Sequence, residues 1–141
     1  VAERVVRMRE GVLGAEHPDT AKGLNNLATL LQAMGRYEDA FPVAERVVRM
    51  REGVLGAEHP DTASALANLA TLLEAMGRYE DALGVAERVV RMREGVLGAE
   101  HPDTAKGLNN LATLLQTMGR YEDALGVAER VVRMREGVLG A

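Results

Sequence analysis

Residues 17–58 read HPDTAKGLNNLATLLQAMGRYEDAFPVAERVVRMREGVLGAE, and the string returns, little altered, at 59–100 and 101–141. Its opening His-Pro-Asp-Thr-Ala begins at His17, His59 and His101, a period of 42 residues. Copies one and three differ at three positions: Ala33/Thr117, Phe41/Leu125 and Pro42/Gly126. Copies two and three differ at five, and copies one and two at six. The stretch before the first copy fits the same template, because residues 1–15 are identical to residues 127–141. A period of about 20–50 residues marks architectures built by stacking one unit on the next. Identity this high results from recent duplication or from deliberate design. In either case near-identical units must bury the same face against each other.

Each copy reads as two helices. In the first, from about Pro18 to Met34, proline suits the opening turn and Asp19 favours the positive helix end. Gly35 is placed to end it in the left-handed conformation. At about 100° per residue, Leu24, Leu27, Ala28 and Leu31 share one side, opposite Lys22, Asn25, Asn26, Thr29, Gln32 and Ala33. The second helix spans Tyr37 to Leu55. Its apolar stripe is Ala40, Ala44, Val47, Val48, Met50 and Val54, with Glu45, Arg46, Arg49 and Glu52 toward water. Burial of such a stripe, at ~1.5–3 kcal/mol per large side chain, outweighs an i,i+4 pair such as Glu45–Arg49, worth ~0.2–0.5 kcal/mol. Gly53 costs this helix ~1 kcal/mol relative to alanine and permits either close helix contact or early fraying. Pro42 lies near enough the helix start to cause at most a slight bend. The methionines recur at fixed positions and read as core filler.

Short connectors, Gly35-Arg36 within a pair and Gly56-Ala57-Glu58-His59 between pairs, impose antiparallel neighbours. The expected fold is all-α: a right-handed α-solenoid of antiparallel helix pairs with seven helices. It forms one continuous array over 1–141: a partial repeat at 1–16 (second helix only), then repeats at 17–58, 59–100 and 101–141. Val1 falls in mid-pattern, as in a piece of a longer array.

Composition removes several function classes. The chain has no cysteine, so disulfides and thiolate metal sites are excluded. With one serine (Ser64) and three histidines, little is available for nucleophilic catalysis. His17, His59 and His101 precede prolines at helix starts, and stacked helices hold equivalent atoms at least about 8–10 Å apart, too far for one zinc ion. GVLGAEH lacks the Gly-Lys-Ser/Thr ending of a phosphate loop. No enzyme activity and no cofactor or metal are expected. A net charge of −4, from 17 bases and 21 acids, argues against nucleic acid. Base-per-repeat RNA reading needs stacking platforms that the polar stripe lacks. No membrane span or signal peptide is seen, and a cytoplasmic location is expected.

The spacing Leu24…Leu27-Ala28…Leu31…Gly35…Tyr37…Ala40 resembles the tetratricopeptide repeat. The 42-residue length, the HPDTA start, the NNLATLL core and the GRYEDA turn look more specifically like the repeats of kinesin light chains. Departures are Leu24, Leu66 and Leu108 where the family often has an early aromatic, and Ala44, Ala86 and Ala128 where its second helix often has another. An extended second helix and the GAEHP connector replace the family's closing proline. HEAT-like pairs are the alternative fold. The resemblance implies a non-catalytic scaffold that binds a protein or peptide along an inner surface lined by first helices. It further implies that Asn26, Asn68 and Asn110 hydrogen-bond an extended peptide's backbone, for which an amide offers both donor and acceptor.

Of seven repeat positions that vary, four lie on the polar stripe: Lys22, Asn25, Gln32 and Ala33 become Ser64, Ala67, Glu74 and Ala75, then Lys106, Asn109, Gln116 and Thr117. The outward stripe of the second helix reads as constant. The groove candidates are therefore Lys22, Asn25, Asn26, Thr29, Gln32, Asn68, Thr71, Glu74, Lys106, Asn109, Asn110, Thr113 and Gln116. Copy two carries four bases and seven acids, so Glu74 between Lys22 and Lys106 reads as a site for a basic ligand residue. Tyr37, Tyr79 and Tyr121 are expected to pack at the turn between helices, leaving few aromatic anchors and modest affinity. The competing reading is a duplicated or engineered block that only self-associates. Its uncapped terminal helices would stack end to end, or exchange the identical 15-residue termini, to give homo-oligomers.

Overall fold

The structure, a computed structural model, describes residues 18–139. They form six helices: α1 (Pro18–Ala33), α2 (Tyr37–Leu55), α3 (Pro60–Ala75), α4 (Tyr79–Leu97), α5 (Pro102–Thr117) and α6 (Tyr121–Leu139). The expected leading helix over residues 1–13, and His17, lie outside the described residues. Each helix packs chiefly on the next in chain order, the pattern of a solenoid.

Local chemistry fixes where each helix begins. The Asp61 N–H donates to His59 Nδ1 at 3.0 Å, and the Asp103 N–H to His101 Nδ1 at the same distance. The histidines are thus side-chain caps, with Pro60 and Pro102 next in line, where a missing N–H loses nothing. Thr62 and Thr104 are fully buried, and their hydroxyls donate to the carbonyls of Gly56 and Gly98 at 2.8 Å. This bond ties each inter-pair connector to the helix it introduces. At the other end, the Arg36 N–H reaches the Leu31 carbonyl at 2.8 Å and the Gly35 N–H the Gln32 carbonyl at 3.0 Å. With Gly35 at φ 77°, this is a Schellman closure, and it recurs at Gly77 and Gly119.

The apolar faces meet as the spacing predicts. Leu24, Leu27, Ala28 and Leu31 of α1 are buried with Ala40, Ala44, Val47, Val48 and Met50 of α2. Three expectations need correction, and one open alternative, at Gly53, is decided. Val54 is exposed, as is Val96, because the 19-residue second helices overhang the 16-residue first helices by about one turn. Glu52 is half-buried and not free in water, since it accepts an ion pair from Arg88 at 3.2 Å. Met34 is exposed at the end of α1, although Met50, Met92 and Met134 are core residues. Nothing approaches within 4 Å of a Cβ built on Gly53, so this glycine serves no close helix contact. Despite Pro42, α2 runs unbroken through Leu55.

Neighbouring pairs are joined by polar seams as well. Arg88 of α4 pairs with Glu52 of α2, and Arg130 of α6 repeats the contact with Glu94 of α4. In the first seam the Arg78 guanidinium lies 4.9 Å from the centroid of Phe41, a cation–π contact worth about 0.5–1 kcal/mol. A second difference lies beside the position held by Ala65 and Gly107. Arg93 is buried beside Gly107 and donates to the Asp103 carbonyl at 3.2 Å. The equivalent of Gly107 in pair two is Ala65, and there Arg51 reaches the Asp61 carboxylate at 3.7 Å instead.

Candidate functional site

The polar stripes of α1, α3 and α5 lie side by side on one face. Asn26, Asn68 and Asn110 are all exposed on it, as are Lys22, Thr29, Thr71, Lys106, Asn109, Thr113 and Gln116; Asn25, Gln32 and Glu74 are half-buried. The hydroxyls of Thr29, Thr71 and Thr113 donate back to the carbonyls of Asn25, Ala67 and Asn109 at 2.9, 3.1 and 3.1 Å. Their protons are committed to their own helices, and what they offer a ligand is acceptor lone pairs.

The two seams differ in shape. Between pairs one and two lies a groove of about 500 Å³, rimmed by Asn25, Thr29, Gln32, Asn68 and Thr71 over a floor of Ala28, Ala44 and Val47. Beyond Asn25 and Asn68 it meets a cavity of about 260 Å³ bordered by Lys22, Arg51, Asp61 and Ser64. Across this seam the Asn68 Nδ2 donates to Asn25 Oδ1 at 3.4 Å. Between pairs two and three the corresponding space shrinks to about 20 Å³, lined by Thr71, Glu74, Arg93 and Asn110 among others. Burial there raises the pKa of the Glu74 carboxyl above its ordinary value, because desolvation disfavours the charged form.

The structure therefore gathers Lys22, Asn25, Thr29, Gln32, Asn68 and Thr71 at the first seam, and Glu74 and Asn110 at the second. Asn26, Lys106, Asn109, Thr113 and Gln116 stand on the same face outside these cavities. Two expectations are corrected here. Tyr79 and Tyr121 are exposed, with only Tyr37 half-buried against the first groove; Tyr121 opens the last helix, where no further pair is stacked. The outward surface of the second helices is also not constant, since Pro42, Gly84 and Gly126 differ at an exposed position there. Arg51 and Arg93 border the cavities but were not among the candidates. The Gly23/Ala65/Gly107 alternation, one of the seven varying positions, was the available signal.

Among the described residues no group of three His, Cys, Asp or Glu side chains is arranged to hold a metal ion. No described helix is long and apolar enough to cross a membrane.

A solenoid of helix pairs closed by Gly35-type turns, with a polar first-helix face, defines a class of helical-repeat proteins. The tetratricopeptide repeat model matches residues 2–53, 19–95 and 69–137, and the chain belongs to that family. Its members are in general protein–protein interaction scaffolds without catalytic activity, and they bind protein partners. Among solved structures, a putative kinesin light chain of Podosopora anserina with nearly identical TPR-like repeats superposes with a TM-score of 0.87 at 28% identity, over 99% of this chain and 66% of that one. BtubC (BKLC) from P. vanneervenii superposes at 0.89 with 20% identity, over 99% of this chain and 56% of that one, a likeness of fold alone. The chain thus spans less than two thirds of either structure's length. A search of the curated proteins gives no match.

Proposed function

We propose that the array binds an extended segment of a partner protein along its first-helix face, without catalysis, in the cytoplasm. The observation that carries this reading is the first groove. Amides and hydroxyls rim it, and small apolar residues floor it. An extended strand needs a ladder of donors and acceptors at repeating intervals, and Asn26, Asn68 and Asn110 supply amides once per repeat. Asn25, Asn109, Thr29, Thr71, Thr113, Gln32 and Gln116 add alternate contacts. Lys22 and Lys106 attract carboxylates at either end, and Glu74 favours a basic residue near the middle repeat.

Titration calorimetry against an array of charge-varied extended peptides tests the reading. The Asn26/Asn68/Asn110→Ala triple variant should lose capture while keeping its helicity, and Glu74→Lys should shift preference from basic to acidic central residues. Absence of any captured peptide, or a triple variant that binds as the parent does, would refute it.

A further inference from the structure

The second helices pack in a register that leaves like charges facing each other. Arg88 of α4 pairs with Glu52 of α2, and Arg130 of α6 with Glu94 of α4, a register of 36 residues. Carried back two helical turns from Glu94, that register sets Glu87 of α4 opposite Asp123 of α6, with Glu122 beside it. All three carboxylates are exposed. Arg120 engages Asp123 at 2.9 Å, whereas Glu87 and Glu122 make no ion pair among the described residues. They border a groove of about 520 Å³, floored by Val90 and Val127 of the second helices and by Leu108 and Leu111 of α5. Midway along its α6 wall, at Gly126, a Cβ would meet nothing within 4 Å. The bases on the walls are Arg130, held by Glu94, and the exposed Arg91, so acids outnumber bases four to two and the groove is acidic. It shares no lining residue with the cavities of the first-helix face.

We propose that this groove is a second docking surface, and that its occupant is a partner segment carrying an arginine or lysine next to a short apolar run. Charge complementarity selects that occupant. An acidic segment would add to a charge already in excess. A purely apolar one would strip water from Glu87 and Glu122 and give them no partner in return. A long cationic side chain meets both demands. Its aliphatic stem lies over Val90 and Val127, while its charged head stays at the solvated rim between Glu87 and Glu122. The other end of the groove is neutral, since Glu94 and Arg130 satisfy each other, and Arg91 repels a second cation there. The segment therefore sits with its cation toward Glu87 and its apolar run toward Glu94. This surface is independent of the first-helix face proposed to take an extended peptide.

The chain has no cysteine, so a fluorophore can be set at one chosen place. The probes are a short arginine–alanine–leucine peptide and the same peptide with glutamate for arginine. The arginine peptide should shift the emission of the whole chain labelled at Gly126→Cys, and not that of the chain labelled at Ser64→Cys on the first-helix face. The glutamate peptide should shift neither. In titration calorimetry on unlabelled protein, Glu87→Arg with Glu122→Arg should weaken the arginine peptide roughly tenfold. Gly126→Leu, which occupies the groove without altering its charge, should weaken it as well. Asn26/Asn68/Asn110→Ala should leave it unchanged, which separates the failure of this surface from the failure of the first-helix reading. Circular dichroism checks that helicity is kept; should the charge reversal lower it, Glu87→Gln with Glu122→Gln removes the same charges and must weaken binding in the same direction. No response at Gly126, a response at Ser64 alone, an equal response to the glutamate peptide, or undiminished affinity in the groove variants would overturn the proposal.

Discussion

The side-chain amide of Asn68 donates to the side-chain oxygen of Asn25, 3.4 Å away across the seam between the first two helix pairs. The middle repeat has no counterpart, because Ala67 stands where Asn25 would pair with Asn110. A bond this long, on exposed groups, contributes little to stability. A double-mutant cycle of Asn25→Ala and Asn68→Ala should return a coupling of about 0.5 kcal/mol or less. A coupling near that of a buried bond would mean the pair holds the seam together and is not available to a ligand.

Thr62 and Thr104 should matter far more. Each buries a hydroxyl on a glycine carbonyl at 2.8 Å, and removing it leaves that carbonyl without its partner. Thr62→Val and Thr104→Val should each cost about 1–3 kcal/mol in urea unfolding, with helix content in water unchanged. A loss within the usual surface range of about ±0.5 kcal/mol would show that water replaces the hydroxyl.

Gly53 and Gly95 are helical, and a Cβ at either meets nothing within 4 Å. Gly53→Ala and Gly95→Ala should therefore each stabilise by about 1 kcal/mol, through helix propensity and loss of unfolded-state freedom. They lie in different pairs and should add. A destabilisation measured by thermal melting would point to a contact these helix ends make with something other than the array.

The Glu74 carboxyl titrates above its usual value in the folded chain because burial penalises its charge. A folded pKa higher than the unfolded one means that ionisation opposes folding. The cost is absent at pH below the unfolded value, develops through the window between the two values, and is complete above the folded one. Glu74→Gln, which installs the residue of copies one and three, should be more stable than the parent at neutral pH by less than about 1 kcal/mol, since the group is only partly buried. The difference should vanish below about pH 4. A gap that widens on acidification would reverse the assigned cause.

Much of the fold was legible because each boundary has a local chemical cause. Gly35 closes α1 and Pro60 opens α3 for reasons confined to a few neighbouring residues. The helical wheel likewise separates Leu24, Leu27 and Leu31 from Asn26 and Thr29, because burial tracks the helix period. The features that escaped the reading depend on neighbours distant in sequence. Val54 fits the apolar stripe, but its surroundings depend on how far α2 outruns the adjacent helices. Glu52 looks like a solvent charge until Arg88, nearly a full repeat later, is placed beside it. The unequal grooves coincide with Ala65 in one seam and Gly107 in the other, and with different placements of Arg51 and Arg93, which appear only when two helices are set face to face. The polar row could be placed on one face from periodicity, but its division into a wide first seam and a narrow second one could not.

The chiefly neighbour-to-neighbour packing of α1 through α6 also bears on how the chain reaches its native arrangement. With most contacts made between helices adjacent in the chain, little loop closure is required and each pair can condense quickly. Yet α3 and α5 are so alike that α2 presents an acceptable surface to either, and a chain released all at once can skip a pair and trap it outside. Emergence from the ribosome one helix at a time removes that ambiguity, since α3 is available to α2 before α5 has been synthesised. For an array of near-copies, the timing of synthesis supplies register information that the residues themselves no longer encode.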